Sequence, residues 1–164
     1  MHQILKIALF TVLATFTIIF TYPYVAPYIS ELLVNVTSPA EFEYANVKIG
    51  GHMVKAKIAD TVSKRDKGLM QVKTLGNLQG MLFIFEKPGF HRIWMKDMQI
   101  PLDILWIDDT LKIVHLEQAV TPCSASQNPC PSYTSVDSAK YVLELNSGWT
   151  QRSTVKVGDS VEIN

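Results

Sequence analysis

The sequence predicts a mainly β domain, a sandwich or barrel with one short helix, behind a single N-terminal transmembrane helix. Three observations carry this. Short runs rich in Val, Ile, Leu and aromatic residues recur along residues 44–164, broken by Gly50-Gly51, Pro88-Gly89, Asp108-Asp109 and Gly158-Asp159. Within that body, the stretch from Asp60 to Gly68 carries helix start and stop signals. Before it, the run from Ile7 to Tyr22 is unbroken apolar or hydroxylated.

The chain of 164 residues divides into an anchor at 1–28, a linker at 29–43 and a body at 44–164. A body of about 120 residues fits one domain around one core. Hydrophobic residues make up 48% and charged residues 18% of the chain, which excludes disorder as the default for the body. Lys+Arg and Asp+Glu both number 15, so the basic excess that phosphate binding demands is missing and no nucleic-acid partner is expected.

From Ile4 to Tyr24 the anchor is long enough to cross a hydrocarbon core of ~30 Å as a helix. Lys6 stands at one end, Tyr22, Tyr24 and Tyr28 cluster at the other, and Pro23 and Pro27 stop the helix. A cleaved signal peptide is the competing reading, since the core from Ile7 to Phe20 is short. Its best cleavage sites carry bulky Tyr24 or are followed by Pro27. Lys6 precedes the segment and Glu31 is the first charge after it, so either reading puts the body outside the cytoplasm.

Residues 45–59 alternate on both sides of Gly50-Gly51 and read as a hairpin with a primed turn. Asp60 or Thr61 can cap a helix running to Lys67, and Gly68 suits the left-handed position that closes it. Leu69 and Met70 then fold back onto the core. Further strands are expected at Met81–Phe85, Phe90–Lys96, Leu102–Asp108, Leu111–Val120, Tyr141–Asn146 and Ser160–Ile163, with a turn or short helix through Gly148. No internal repeat or low-complexity tract interrupts them.

Cys123 and Cys130 lie in a Pro- and Ser-rich loop. In an oxidising compartment they read as a disulfide, with two free thiols as the alternative. A zinc site would need more ligands than this loop offers.

Candidate chemistry centres on residues 94–108. In a strand, Leu102, Ile104 and Trp106 share one face, and Asp103 shares the other with Leu105 and Ile107. A carboxylate on an apolar face must be paired, hydrogen-bonded or protonated. Lys96, Arg65 and loop amides are the candidate partners. Asp103 serves either to pin the Lys96–Pro101 turn or, with Asp97 in that turn, as one half of an acid/base pair. Arg65 and Lys64 could hold an anion or simply be solvated. His91, His115 and Glu117 could be imagined as metal ligands, but strand histidines more often sit at an edge, and no metal site or cofactor is expected. Glu144 shares a face with Val142 and Asn146 and reads as solvent-facing. The chain carries no Gly-x-Ser-x-Gly elbow.

Gly68-Leu-Met70, Gly80-Met-Leu-Phe-Ile-Phe85, Trp94-Met-Lys96, Ile100-Pro-Leu-Asp-Ile104, Tyr141-Val-Leu-Glu-Leu145, Gly148 and Val157-Gly-Asp159 follow one another in this order. The series resembles the family called domain of unknown function 192, over about residues 45–164. The resemblance implies a β-sandwich of jelly-roll type, often secreted or anchored outside the membrane, and implies no activity. After Lys96 the family pattern usually has Asn-Thr, where Asp97-Met98 stand here. By family position, Tyr133 joins Arg65, Lys96, Asp97 and Asp103 as a ligand-binding candidate. The expectation is therefore a binding or accessory module of the cell envelope, for a glycan, peptide or protein. An envelope hydrolase or isomerase using Asp97 and Asp103 is the alternative.

Overall fold

The computed structural model describes Tyr24, residues 42–123, Gln127 and residues 129–164. Among them run β1 (Tyr44–Ile49), β2 (His52–Ala59), α1 (Val62–Lys67), β3 (Gln79–Gly89), β4 (Arg92–Trp94) and β5 (Leu102–Ile107). Then follow β6 (Ile113–Val120), β7 (Ser132–Thr134), β8 (Ala139–Asn146), α2 (Trp149–Arg152) and β9 (Val161–Ile163). No helix of the described residues is long and apolar enough to cross a membrane. The segment expected to do so, residues 4–24, lies outside the described residues except for Tyr24, and so does most of the linker.

The local signals act as expected at the start of the body. Gly50 and Gly51 have φ of 55° and 78°, the two left-handed positions of a primed turn, and β1 pairs β2 antiparallel from Tyr44↔Lys57 to Ile49↔His52. The Thr61 side chain accepts from Lys64 N at 3.2 Å, and Gly68 (φ 48°) donates its N–H to Lys64 O at 2.9 Å. Leu69 is then buried and Met70 half-buried.

Seven strands form one sheet in the order β6-β5-β8-β3-β2-β1-β9, with only β2 and β3 parallel. Its two edges come together, since Lys112 bridges Ser160 and Val161 N donates to Leu111 O at 2.9 Å. The strand spacing suggested a sandwich or barrel, and the family resemblance a jelly-roll sandwich. The main layer is a single sheet curled on itself, because these contacts join β6 to β9 and leave neither edge bare at that end.

Strand β5 is buried at every position, and its two faces serve different clusters. Leu105 and Ile107 join Val47, Val54, Leu82, Leu143 and Trp149 on one face. Leu102, Ile104 and Trp106 join Met81, Phe83, Met95 and Val142 on the other. A two-stranded ribbon of β4 and β7 contributes Ile93 and Tyr133 to this second cluster. Strand β7 was not anticipated, since three residues after a Pro-rich loop carry no periodicity of their own. The strand expected over Phe90–Lys96 is shorter, and β3 runs past Pro88 through a bulge between Ile84 and Gly89, where a proline costs no ladder bond.

Candidate functional site

Asp103 is fully buried, and its charge is met by neither Lys96 nor Arg65. Oδ1 accepts from Ala119 N at 2.9 Å and Gly148 N at 3.0 Å, while Oδ2 accepts from Thr150 N at 2.9 Å and Thr150 Oγ1 at 2.7 Å. Both donor sets come from local irregularities. Strand β6 holds one extra residue opposite β5, between Leu102↔Val120 and Ile104↔Glu117, and Ala119 turns left-handed there (φ 52°) and aims its amide inward. Gly148, also left-handed, opens α2, whose first N–H groups have no intrahelical partner. Gln118 completes the network by donating to Thr150 Oγ1 at 2.9 Å. Asp103 thus ties β5, the β6 bulge and α2 together, rather than pinning the Lys96–Pro101 turn.

The five expected site positions do not converge. Asp97 is exposed and left-handed (φ 56°), and its carbonyl accepts from Gln71 N at 3.1 Å. Tyr133 is half-buried opposite Ile93 in the ribbon. Arg65 and Lys96 alone of the five line a common cleft, of about 430 Å³. Arg65 Nη1 donates to Asp60 O at 2.7 Å and Ile84 O at 2.9 Å, and its guanidinium lies over the Phe85 ring at 5.2 Å. Lys96 Nζ lies 5.3 Å from the centre of the Trp94 ring.

The cleft runs between the end of α1 and the β4–β7 ribbon. Lys67 and Arg92 add two more cationic side chains to its lining, Asp66 is an exposed acid there, and Phe83 and Trp94 supply apolar surface. Glu144 also lines it. That residue sits on β8 between Met81 of β3 and Ile104 of β5, on the face covered by the ribbon. The expectation that Glu144 faces solvent is overturned, since it is 4% exposed. Its Oε2 has no hydrogen-bond partner among the described residues. Burial pushes its carboxyl up to about 8, with no charged neighbour offsetting the effect, so it is largely protonated at neutral pH. The available signal was Val142, whose apolar side chain on the same face as Glu144 marks a strand buried on both sides.

His91 stacks on Phe85 with ring centroids 3.5 Å apart, while His115 Nε2 lies 3.2 Å from Glu117 Oε1. Among the described residues no group of three His, Cys, Asp or Glu is placed to hold a metal ion. Cys123 and Cys130 are joined in a disulfide, and Cys130 lines the cleft.

These features define a mainly β domain with one curled sheet and a cation-lined cleft. The chain belongs to the family of domain of unknown function 192 (uncharacterized ACR), whose model matches residues 45–163. It is 28% identical over 107 residues to the UPF0127 protein TK1120 of Thermococcus kodakarensis, a match over 65% of this chain and 63% of that one. The chain therefore spans less than two thirds of that relative's length. A crystal structure from Sinorhizobium meliloti 1021, described as a candidate transcription regulator, is similar with a TM-score of 0.70 and 29% identity, over 77% of this chain and 98% of that one. A protein of unknown function from Novosphingobium aromaticivorans is similar with a TM-score of 0.67 and 27% identity, over 77% and 88%.

Proposed function

We propose that this chain is a binding module of the cell envelope, tethered through residues 4–24, whose cleft takes a small anionic ligand. One observation carries the reading. In a chain whose formal charges balance, Arg65, Lys67, Arg92 and Lys96 gather around a single concavity, with the exposed Asp66 and the buried Glu144 as its acids. No carboxylate of the described residues pairs with Lys67, Arg92 or Lys96, so their charge is available to a partner. Anions are held by such converging donors, and a cleft of this volume is in the small-molecule range of ~300–1,000 Å³. An acid/base pair of Asp97 and Asp103 gains no support from the geometry. A general base must reach a substrate proton, whereas both Asp103 oxygens are enclosed and hydrogen-bonded.

Two measurements test the reading. Titration of the full chain in detergent with small carboxylates and phosphates should give saturable binding, weakened about tenfold or more in the Arg92→Gln/Lys96→Gln double variant. Equal binding by that variant would remove the cleft from the account. In cells, the protein should fractionate with membranes and be digested by protease added outside the cytoplasmic membrane; a protected body would end the envelope assignment.

A further inference from the structure

A site built only for an inorganic anion has no use for a buried carboxyl in its lining. Glu144 is such a group, sunk between Met81 and Ile104, with one oxygen lacking a partner among the described residues. We propose that the cleft takes an acidic sugar, with its carboxylate among the rim cations and its neutral hydroxyls against Glu144 at the floor. The proposal rests on the binding reading above and adds the chemical class of the ligand.

The two ends of the cleft ask for different chemistry. Arg65 donates to two backbone carbonyls, whereas among the described residues Lys67 and Lys96 make only ring contacts, with Phe42 and Trp94, so Lys67, Arg92 and Lys96 are the cations offered to a carboxylate. At the floor, a protonated carboxyl offers one O–H donor together with acceptor oxygens. A hydroxyl donates and accepts in the same way, so vicinal sugar hydroxyls match both functions. A second anionic group at that depth would meet acceptor oxygens and no cation. Between the two ends, Trp94 is 48% exposed and adds apolar surface to the lining, with Lys96 Nζ 5.3 Å from the centre of its ring.

The arrangement also makes binding sensitive to pH. The charged groups that line the cleft with Glu144 are Arg65, Asp66 and Lys67 from the α1 side, Arg92 from β4, and Lys96 after it. From β3, β5 and β7 come Met81, Phe83, Ile104 and Ser132, which carry no charge. As pH rises through about 8 the Glu144 proton is lost, the floor loses its donor, and a negative charge appears beneath an anionic ligand.

Calorimetric titration of the full chain in detergent with D-glucuronate, D-glucose and inorganic phosphate, at pH 6.5 and pH 9, separates the possibilities. D-Glucuronate should bind at pH 6.5 at least tenfold more tightly than either control and weaken at least tenfold at pH 9. Glu144→Gln, which cannot ionise, should flatten that pH dependence, while Arg92→Gln should weaken D-glucuronate at both pH values. Phosphate binding as tightly as D-glucuronate would overturn the sugar class and leave the anion-binding reading standing. Glucose binding equally well, or no binding by any probe to protein shown folded by circular dichroism, would overturn both. A pH response unchanged in Glu144→Gln would remove Glu144 from the site.

Discussion

Asp103 and Glu144 are two carboxyl groups on neighbouring strands, both almost wholly removed from water, and their surroundings separate their roles. Asp103 meets three backbone N–H groups and a hydroxyl, whereas Glu144 has an oxygen with no partner among the described residues. Asp103→Asn places an N–H₂ group against amides that need an acceptor, so it should cost about 2–4 kcal/mol in urea unfolding. A cost below about 1 kcal/mol would show that the network is dispensable. For Glu144 the sign is the reverse of the usual carboxylate case. Below its ordinary value of 4.5 both folded and unfolded states hold the proton, and stability is full. Between 4.5 and about 8 the unfolded chain releases the proton while the folded one keeps it, so stability falls with rising pH and levels off above about 8. The loss is on the order of 5 kcal/mol, and Glu144→Gln should remove this contribution in unfolding curves recorded at pH 5, 7 and 9. Asp97 is strained in a milder way. Its left-handed backbone suits Asn or Gly, so Asp97→Val should cost about 1 kcal/mol while Asp97→Gly stays within about 0.5.

Among the elements, the shortest ones depend most on their neighbours. Helix α2 has four residues and would not persist alone; Asp103 supplies the cap that its own Gly148 cannot. The β4–β7 ribbon is likewise only three residues wide on each side and is held by burial of Ile93 and by the chain that follows it. Cys123 N donates to Met95 O at 3.0 Å, and Cys123 is joined by a disulfide to Cys130, two residues before β7. Replacing both cysteines by Ser should cost about 2–3 kcal/mol by the loss of loop closure. It should also weaken ligand binding, because Cys130 and Ser132 line the cleft. A variant that loses stability yet binds unchanged would show that the ribbon keeps its place without the bond. Of these elements, β7 is the least legible in the sequence. The hairpin at Gly50-Gly51 and the capped α1 carry their own turn and cap chemistry, whereas β7 exists only because β4 lies opposite.

At the scale of the molecule, curling one sheet until β6 meets β9 does two things. It buries a cluster inside the curl, and it leaves β3, β8 and β5 with an outer face that the ribbon and the segment after α1 must cover. The cleft lies in that cover. Its cations come from α1, β4 and the turn after it, and its floor from β8, about 50 to 80 positions later in the chain. Spacing in the sequence could not bring these together, and it drew attention to Asp97 and Asp103, which are near each other in the chain but do not share the cleft.

The sequence by itself determined the mainly β character, the hairpin, the helix caps, the two-faced burial of residues 102–107 and the need to neutralise Asp103. All of these follow from alternation, turn residues and the cost of burying charge, which act over a few positions. Only the tertiary structure decided that the strands form one curled sheet, that backbone amides rather than Lys96 or Arg65 hold Asp103, and that Glu144 is a buried acid in a cleft also lined by four cationic residues. Those outcomes depend on which strands become neighbours, and pairing energy comes from contacts between segments far apart in the chain.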